Sequence, residues 1–414
     1  MRICLASIHP RLLSGQIDSL VGLARLLRER GHEVSIVSAF ADVDLLDADR
    51  AFGAAAEAGH LVPRMTRLLN IGQALDREGR RSDLIHLNLP TPSFGVVANI
   101  LQARLGRPVV VGFEAHLPTP SDIYRHAYVS AAPRFYLPHL LINNRLLARL
   151  GGFGAAHYVV ASQYQLDELV GLGAPADRVS AIPNLFDPAR LTSVGGRSPM
   201  AERPGREGAR IGYVGHFNHV KGVDLLVRAL PAIRRSHPHA RLALAWSGLG
   251  DAGLVRRAIA EAGVSEQVEL VGRVSVDAFL AECDVCVLPY RLTMGQAAFP
   301  GLVLEAMAVG VPLVTTDLPL LRELLQGDGL ALLAQPENPT DLARHITRLL
   351  DDPAGAGRMV ARQRRAIATR LSPTILVRRY EELYERVLSP EPAGQAGVLP
   401  TVERGESVRS AALR

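Results

Sequence analysis

The order of elements along this chain predicts an α/β protein made of two doubly wound parallel sheets. Three observations carry the expectation. Short apolar runs of strand composition alternate with segments whose leucines and valines recur at helical spacing, the pattern of βα repeats. The chain opens on a βαβ unit, from Arg2 to Ser38. The alternation stops at Phe186, crosses a stretch to Arg210 rich in Pro, Gly, Ser and Arg without periodicity, and restarts at Ile211. With 414 residues, 48% of them hydrophobic and 21% charged, the chain is long enough to bury two cores.

In the first half, Arg2 to Ser7 is the first strand and His9 to Gln16 a loop. The helix after it places Leu20, Leu23, Leu26 and Leu27 on one face, ends near Arg30-Gly31, and leads into a strand from Val34 to Ser38. Further strands are expected at Leu84 to Leu87, Val109 to Phe113 and Tyr158 to Ala161. Helices are expected near Arg64 to Arg77 and at Gly95 to Leu105. Ligands of such sheets sit beyond the carboxyl ends of the strands, and His116 stands there, three residues after Phe113. Leu117 to Leu150 mixes Tyr124, Arg125, His126, Tyr128, Arg134, Phe135 and Tyr136. It can receive an acceptor, touch a membrane face, or supply ordinary surface and core; composition does not choose.

The second half restarts with a strand at Ile211 to Val214, a loop from Gly215 to Gly222, and a helix at Val223 to Ser236. Strands follow at Leu242 to Trp246, Val268 to Leu270 and Val285 to Leu288. Ser247-Gly248-Leu249-Gly250 contains a lone Gly-x-Gly, a weak signal whose glycines suit a turn. The run from Gln296 to Thr316 reads as loop, short helix and buried strand. Pro300 and Gly301 open the helix, Gly310 sits at its C-cap with Pro312 beyond, and Leu313 to Thr316 is the strand. A glycine loop feeding a helix N-terminus offers free N–H groups and the positive dipole end, which suits a diphosphate. Glu305, early in that helix, either accepts hydrogen bonds from a ribose diol or is an ordinary N-terminal carboxylate. Helices are also expected at Leu342 to Leu350 and, amphipathically, Pro373 to Leu388. Ser389 to Arg414 has the composition of a disordered tail.

Lys and Arg together number 46, yet the chain contains one lysine, Lys221. It lies on a glycine-flanked strand-to-helix loop, where a compact ammonium suits a phosphate oxygen better than a planar guanidinium. The net charge of +5 fits phosphorylated small molecules or an anionic membrane surface. Nucleic acid is disfavoured because the arginines are dispersed. Cys4, Cys283 and Cys286 make no disulfide framework, and Cys283-Asp284-Val285-Cys286 has no second pair for zinc. No run reaches transmembrane length and no signal peptide opens the chain, so a cytoplasmic protein is expected, with peripheral contact at the inner membrane face as an option.

The run Ala297 to Glu305 resembles the signature of the family-4 retaining glycosyltransferases of the GT-B fold, written Glu, seven residues, Glu. The second Glu matches at Glu305 and the first position holds Ala297. The resemblance implies a ribose contact for Glu305 and a changed donor-sugar contact at Ala297, with Gln296 beside it as an amide hydrogen bonder. It makes Gln296, Phe299, Pro300, Gly301, Leu302, Val303 and Glu305 the donor-binding run. Ser180-Ala181-Ile182-Pro183-Asn184 resembles the end of the family's first domain. Gly15 matches the glycine of the family's first loop, which faces the donor phosphates, or merely starts the helix. His116 matches the family's donor-sugar histidine. Lys221 matches the lysine that neutralises the leaving diphosphate, while His216 stands where the family has an arginine five residues earlier, next to Gly215.

The resemblance covers Arg2 to about Leu388 in element order. It implies an N-terminal acceptor-side domain at 1–186, a linker at 187–209, a nucleotide-sugar domain at 210–372, and a helix at 373–388 crossing back to the first domain. The implied activity is transfer of a sugar from a nucleotide-sugar donor to a hydroxyl of a small-molecule, lipid or glycan acceptor, with retention and with no metal or other cofactor. Two rivals stand beside it. One is an inverting GT-B enzyme with His9 as general base. The other is a partner subunit that binds nucleotide or sugar without catalysis.

Overall fold

The computed structural model describes residues 1–7, 14–38, 51–53, 72–89, 92, 95–113, 144–186, 208–292, 301–325 and 327–389. The first half forms strands β1 (Arg2–Ser7), β2 (Glu33–Ser38), β3 (Ala51–Gly53), β4 (Leu84–Leu89), β5 (Val109–Phe113), β6 (His157–Val160) and β7 (Val179–Ala181). They make one seven-stranded sheet in the order β3-β2-β1-β4-β5-β6-β7, and every neighbouring pair is parallel. Helices α1 (Ser14–Glu29), α2 (Gly95–Leu105), α3 (Asn144–Gly151) and α4 (Gln163–Gly171) connect or flank them, with a further helical stretch at residues 72–81. Strand β1 is buried from Ile3 to Ala6 and β5 throughout, which explains their unbroken apolar sequences: both faces of a parallel sheet are covered.

The second half repeats the plan. Strands β8 (Arg210–Phe217), β9 (Arg241–Gly250), β10 (Val268–Val271), β11 (Val285–Leu288), β12 (Leu313–Thr316) and β13 (Leu332–Ala334) form a parallel sheet in the order β10-β9-β8-β11-β12-β13. Around them lie α5 (Val223–Ser236), α6 (Ala252–Ala262), α7 (Val276–Ala281), α8 (Gly301–Val309), α9 (Pro319–Leu325), α10 (Pro339–Asp351) and α11 (Pro353–Ala368). The doubly wound α/β expectation is thus met twice. In each sheet the strand order reverses once, between β1 and β4 and between β8 and β11.

The last helix, α12 (Pro373–Leu388), returns to the first sheet. Its Leu376, Val377, Tyr380, Leu383 and Tyr384 are buried with α1, β1 and β4 residues in one apolar cluster. Glu381 accepts two hydrogen bonds from Arg30 Nε, at 2.6 and 2.7 Å, and pairs with His32 at 2.8 Å. Arg379 donates to the Ala181 carbonyl at 2.8 Å.

Several elements differ from expectation. Strand β8 does not end at Val214: pairing with β9 continues past Gly215 through a bulge to Phe217, so both strands run longer. Helix α11 was hidden by its first turn, Pro353-Ala-Gly-Ala-Gly, which reads as a breaker; the Asp352 side chain caps it by accepting from Gly355 N–H at 2.7 Å. Expected residues 64–71 of an early helix lie outside the described residues, as does the tail from 390. Cys4, Cys283 and Cys286 are buried and in no disulfide, in keeping with the structural reading.

Candidate active site

At the reversal between the parallel neighbours β8 and β11, the connections leaving their carboxyl ends part to opposite faces of the sheet and open a crevice there, where ligands of open α/β sheets bind. His216 sits in the β8 bulge at that end. Gly215 before it has φ +145°, a conformation costly for a side chain, and a Cβ there would press on the Tyr213 hydroxyl. That buried hydroxyl donates to the His216 carbonyl at 2.7 Å and fixes the bulge. His216 Nδ1 and Ser247 Oγ are hydrogen-bonded at 2.5 Å, which aims the imidazole from β8 toward β9. Burial, and then the Lys221 charge, lower the imidazole below its ordinary pKa, so the ligand-free ring favours the neutral form.

Lys221 closes a single 3₁₀ turn, His219–Lys221, in place of an open loop. Asn218 caps the turn by accepting from Lys221 N–H at 3.0 Å. Gly222 follows at φ 66°, and a Cβ there would collide with the Pro289 carbonyl, so only glycine lets the turn lie against the end of β11. Arg291 holds the turn from below. It donates to the His219 carbonyl at 2.8 Å and forms a bidentate pair with Asp224, both contacts 2.7 Å, and both residues are buried. Burial by itself would raise the Asp224 carboxyl; the Arg291 hydrogen bonds and charge outweigh it and hold the group below its usual range.

The half-buried Lys221 ammonium lies 4.7 Å from the centroid of the Tyr290 ring, a cation–π contact. Burial lowers its pKa to about 8. Tyr290 is buried just beyond β11, and burial, Cys286 and Glu305 all raise its phenol. Glu305, half-buried in the second turn of α8, thus acts electrostatically on the same phenol that Lys221 contacts. Gly301, Leu302 and Val303 form the first turn of α8, with Val303 buried; Gly310 ends the helix at φ 84° and α8 leads into β12 as the pattern predicts.

The structure therefore gathers Gly215, His216, Lys221 and Glu305 around Tyr290 at one crevice. Gly15 is the second residue of α1, at the helix N-terminus after β1. His9, His116, Gln296, Ala297, Phe299 and Pro300 lie outside the described residues. Sequence reasoning missed Tyr290 and Arg291, although a Pro-Tyr-Arg run directly after a buried strand marks a strand-end position. It also gave Ser247 no role, because its glycines suggested a turn; β9 in fact carries Ser247 alongside His216.

The first sheet has a polar feature at its own reversal. A cavity of about 40 Å³ beneath α1 is lined by Ser19, His86, Asn88, Gly112, Asn184 and Tyr380, among others. His86 is buried, its Nδ1 is hydrogen-bonded to the Tyr384 hydroxyl at 2.6 Å, and its Nε2 meets no partner in good geometry. Burial lowers this imidazole to about 4, against a smaller opposing effect of Asn88. Gly112 leaves room for both polar side chains, since a Cβ there would overlap the Asn88 amide oxygen.

Two doubly wound parallel domains with a charged crevice at the switch point define a GT-B architecture. Residues 14–185 match the model of the glycosyl transferase 4-like domain, and residues 208–352 match that of glycosyl transferases group 1, together well over half of the chain. The chain belongs to the group 1, family-4-like glycosyltransferases. Among curated relatives, a glycogen synthase of Mycobacterium tuberculosis is 32% identical over 217 residues, covering 51% of this chain and 48% of that protein. The chain thus matches about half the length of this relative. A phosphatidyl-myo-inositol mannosyltransferase of Mycolicibacterium smegmatis is 24% identical over 367 residues, 85% of each chain. Among solved structures, Anabaena HepE in complex with UDP superposes with TM-score 0.70 at 18% identity, covering 93% of this chain and 100% of that one. Sucrose-phosphate synthase of Thermosynechococcus elongatus gives TM-score 0.72 at 19% identity, covering 94% and 100%; at such identities the likeness is one of fold.

Proposed function

We propose that this chain transfers a sugar from a nucleotide-sugar donor to an acceptor hydroxyl, with retention of configuration and without a metal ion. The observation that carries the reading is the convergence of Lys221, His216 and the α8 N-terminal turn on the second sheet's switch point. On this reading the domains are 1–186 and 210–372, joined by 187–209 and by the returning helix at 373–388. Donor complexes of a structural neighbour, HepE with UDP and with UDP-glucose, support the choice of ligand class.

The chemistry follows from charge. Bond breaking at the anomeric carbon leaves negative charge on the diphosphate, and groups that bind it more tightly as it develops lower the barrier. The Lys221 ammonium and the α8 N–H groups serve this directly. His216 serves once the phosphate charge has drawn a proton onto it, against the burial that keeps the free ring neutral. Glu305 accepts from the ribose hydroxyls. The departing phosphate oxygen takes the proton of the acceptor hydroxyl, so no carboxylate base is assigned. By the family resemblance His116 and Gln296 are assigned to the donor sugar, Phe299 and Pro300 to the donor-binding run, and Gly15 to the donor phosphates. The acceptor is a small molecule, lipid or glycan held on the first domain, with peripheral membrane contact in the lipid case.

A panel of nucleotide sugars screened by thermal stability, followed by turnover of the stabilising donor with and without chelator, tests the proposal. Expected are a donor-dependent rise in melting temperature, chelator-resistant release of nucleoside diphosphate, and a product with the donor's anomeric configuration. An inverted product gives the case to a His9-type general base. Binding without turnover across an exhaustive acceptor panel gives it to a non-catalytic partner subunit.

A further inference from the structure

Glu323 on α9 belongs to the second domain, but its carboxylate ends on the first. Oε1 accepts the Gln163 N–H at 2.6 Å and Oε2 accepts the Tyr164 N–H at 2.9 Å. These are the first two amides of α4, and a helix leaves its opening N–H groups without partners of its own. The third, Gln165 N–H, goes to the Ser162 side chain at 3.1 Å, and Gln165 returns its side-chain oxygen to Ala161 N–H at 2.8 Å. The helix's own cap thus serves one amide and leaves two pointing at Glu323. The neighbouring Arg322 is held in a bidentate pair by Asp317, both contacts 2.7 Å, and does not compete for the carboxylate.

The location gives the contact its meaning. Helix α4 begins directly after the carboxyl end of β6, and α9 begins directly after the carboxyl end of β12. The clasp therefore joins the two carboxyl edges, the edges that carry ligands in both sheets. Beside it Ala161 and Phe186 of the first domain pack with the second domain's apolar cluster. Glu323 lies one strand beyond α8, so the clasp ties the helix bearing Glu305 to the opposite domain through a single βα step. We propose that Glu323 is a positioning residue that sets the spacing of the two domains across the crevice, and so the approach of an acceptor to the donor. The contact is exposed to solvent and electrostatic, a carboxylate on a helix N-terminus, and so is made and broken readily. It suits a hinge that must open for exchange and close for reaction.

The test uses the full chain and needs no acceptor. Spin labels on cysteines replacing Ile100 of α2 and Arg257 of α6, both well exposed, report the distance between domains by pulsed dipolar spectroscopy. UDP binding by calorimetry on the same variants reports whether the nucleotide site itself is disturbed. Along the series wild type, Glu323→Gln, Glu323→Ala, Glu323→Lys, the distance distribution should broaden stepwise, at least twofold by Glu323→Ala, while UDP affinity stays within about twofold. Amide exchange at Gln163 and Tyr164 should accelerate roughly tenfold in Glu323→Ala. A role confined to local stability would lower the melting temperature without moving the distance. An unchanged distribution across the series, or unchanged exchange at the two amides, overturns the proposal. A variant that fails to fold leaves Glu323→Gln and the wild-type exchange rates to decide it in the same way.

Discussion

Lys221 is the only lysine, and its surroundings make it a titrating one. Its folded pKa of about 8 lies below the ordinary 10.5, so the unfolded chain holds more protons between those values. The burial cost of the ammonium is present in full below about pH 8, and this contribution to stability improves as pH rises from there toward 10.5. Diphosphate binding needs the opposite, a charged amine. On the proposed function, and with UDP as the probe nucleotide, affinity should therefore be level below about pH 8 and fall above it by up to tenfold per pH unit, a dependence that Lys221→Arg should abolish. Lys221→Ala should cost about ten- to a hundredfold in UDP affinity, the worth of one charge-assisted hydrogen bond, read by calorimetry. The partly neutral amine should also react with acylating reagents near pH 8 and be shielded by UDP, which peptide mass spectrometry would register. His216 should move upward on binding UDP, since the phosphate opposes the burial that lowers it. A downward or absent shift in imidazole NMR titration would remove it from the site.

The turn that presents Lys221 is held as an element by Arg291, Asp224 and Gly222. Arg291→Met should leave the Asp224 charge buried without its partner and destabilise the chain by about 3–5 kcal/mol in denaturant unfolding. Gly222→Ala should likewise fail, through a positive φ and the Pro289 carbonyl, whereas Gly301→Ala at the open start of α8 has free space for its methyl. These supports show what a sequence can and cannot reveal. Lys221, Gly215 and Glu305 stood out because each breaks a local pattern: a lone ammonium, a glycine at a strand end, a carboxylate in an apolar helix. Strands such as Val109–Phe113 and Val285–Leu288 were legible to the residue, since burial on both faces writes an unbroken apolar run. Arg291 and Asp224 were not legible, because 67 positions separate partners that only the β8–β11 crossover brings together. Ser247 was hidden because the chain looks finished at Gly248, while the strand it belongs to is extended by its neighbour's bulge.

At the scale of the molecule, α12 belongs by sequence to the end of the chain and by packing to its beginning. The Tyr384 hydroxyl on buried His86 is part of that attachment. Tyr384→Phe should strand His86 Nδ1 and cost about 1–3 kcal/mol. His86 adds an acid limit. Its folded value of about 4 lies below the ordinary 6.5, so the unfolded chain binds the extra proton first, and stability is lost as pH falls from 6.5 toward 4. Replacing His86 by Phe together with Tyr384→Phe should flatten that part of the acid-unfolding profile. An unaltered profile would place the acid-sensitive group elsewhere.

The three cysteines are buried and form no disulfide. Cys4 lies in β1, an inner strand of the first sheet, and burial raises its pKa to about 12; Cys283 and Cys286 flank the start of β11, an inner strand of the second. A thiol reagent can reach each only when its own sheet opens. Pulse labelling with mass detection on wild-type protein would then time the opening of the two domains separately. It would show whether a nucleotide held by one domain quiets the breathing of the other.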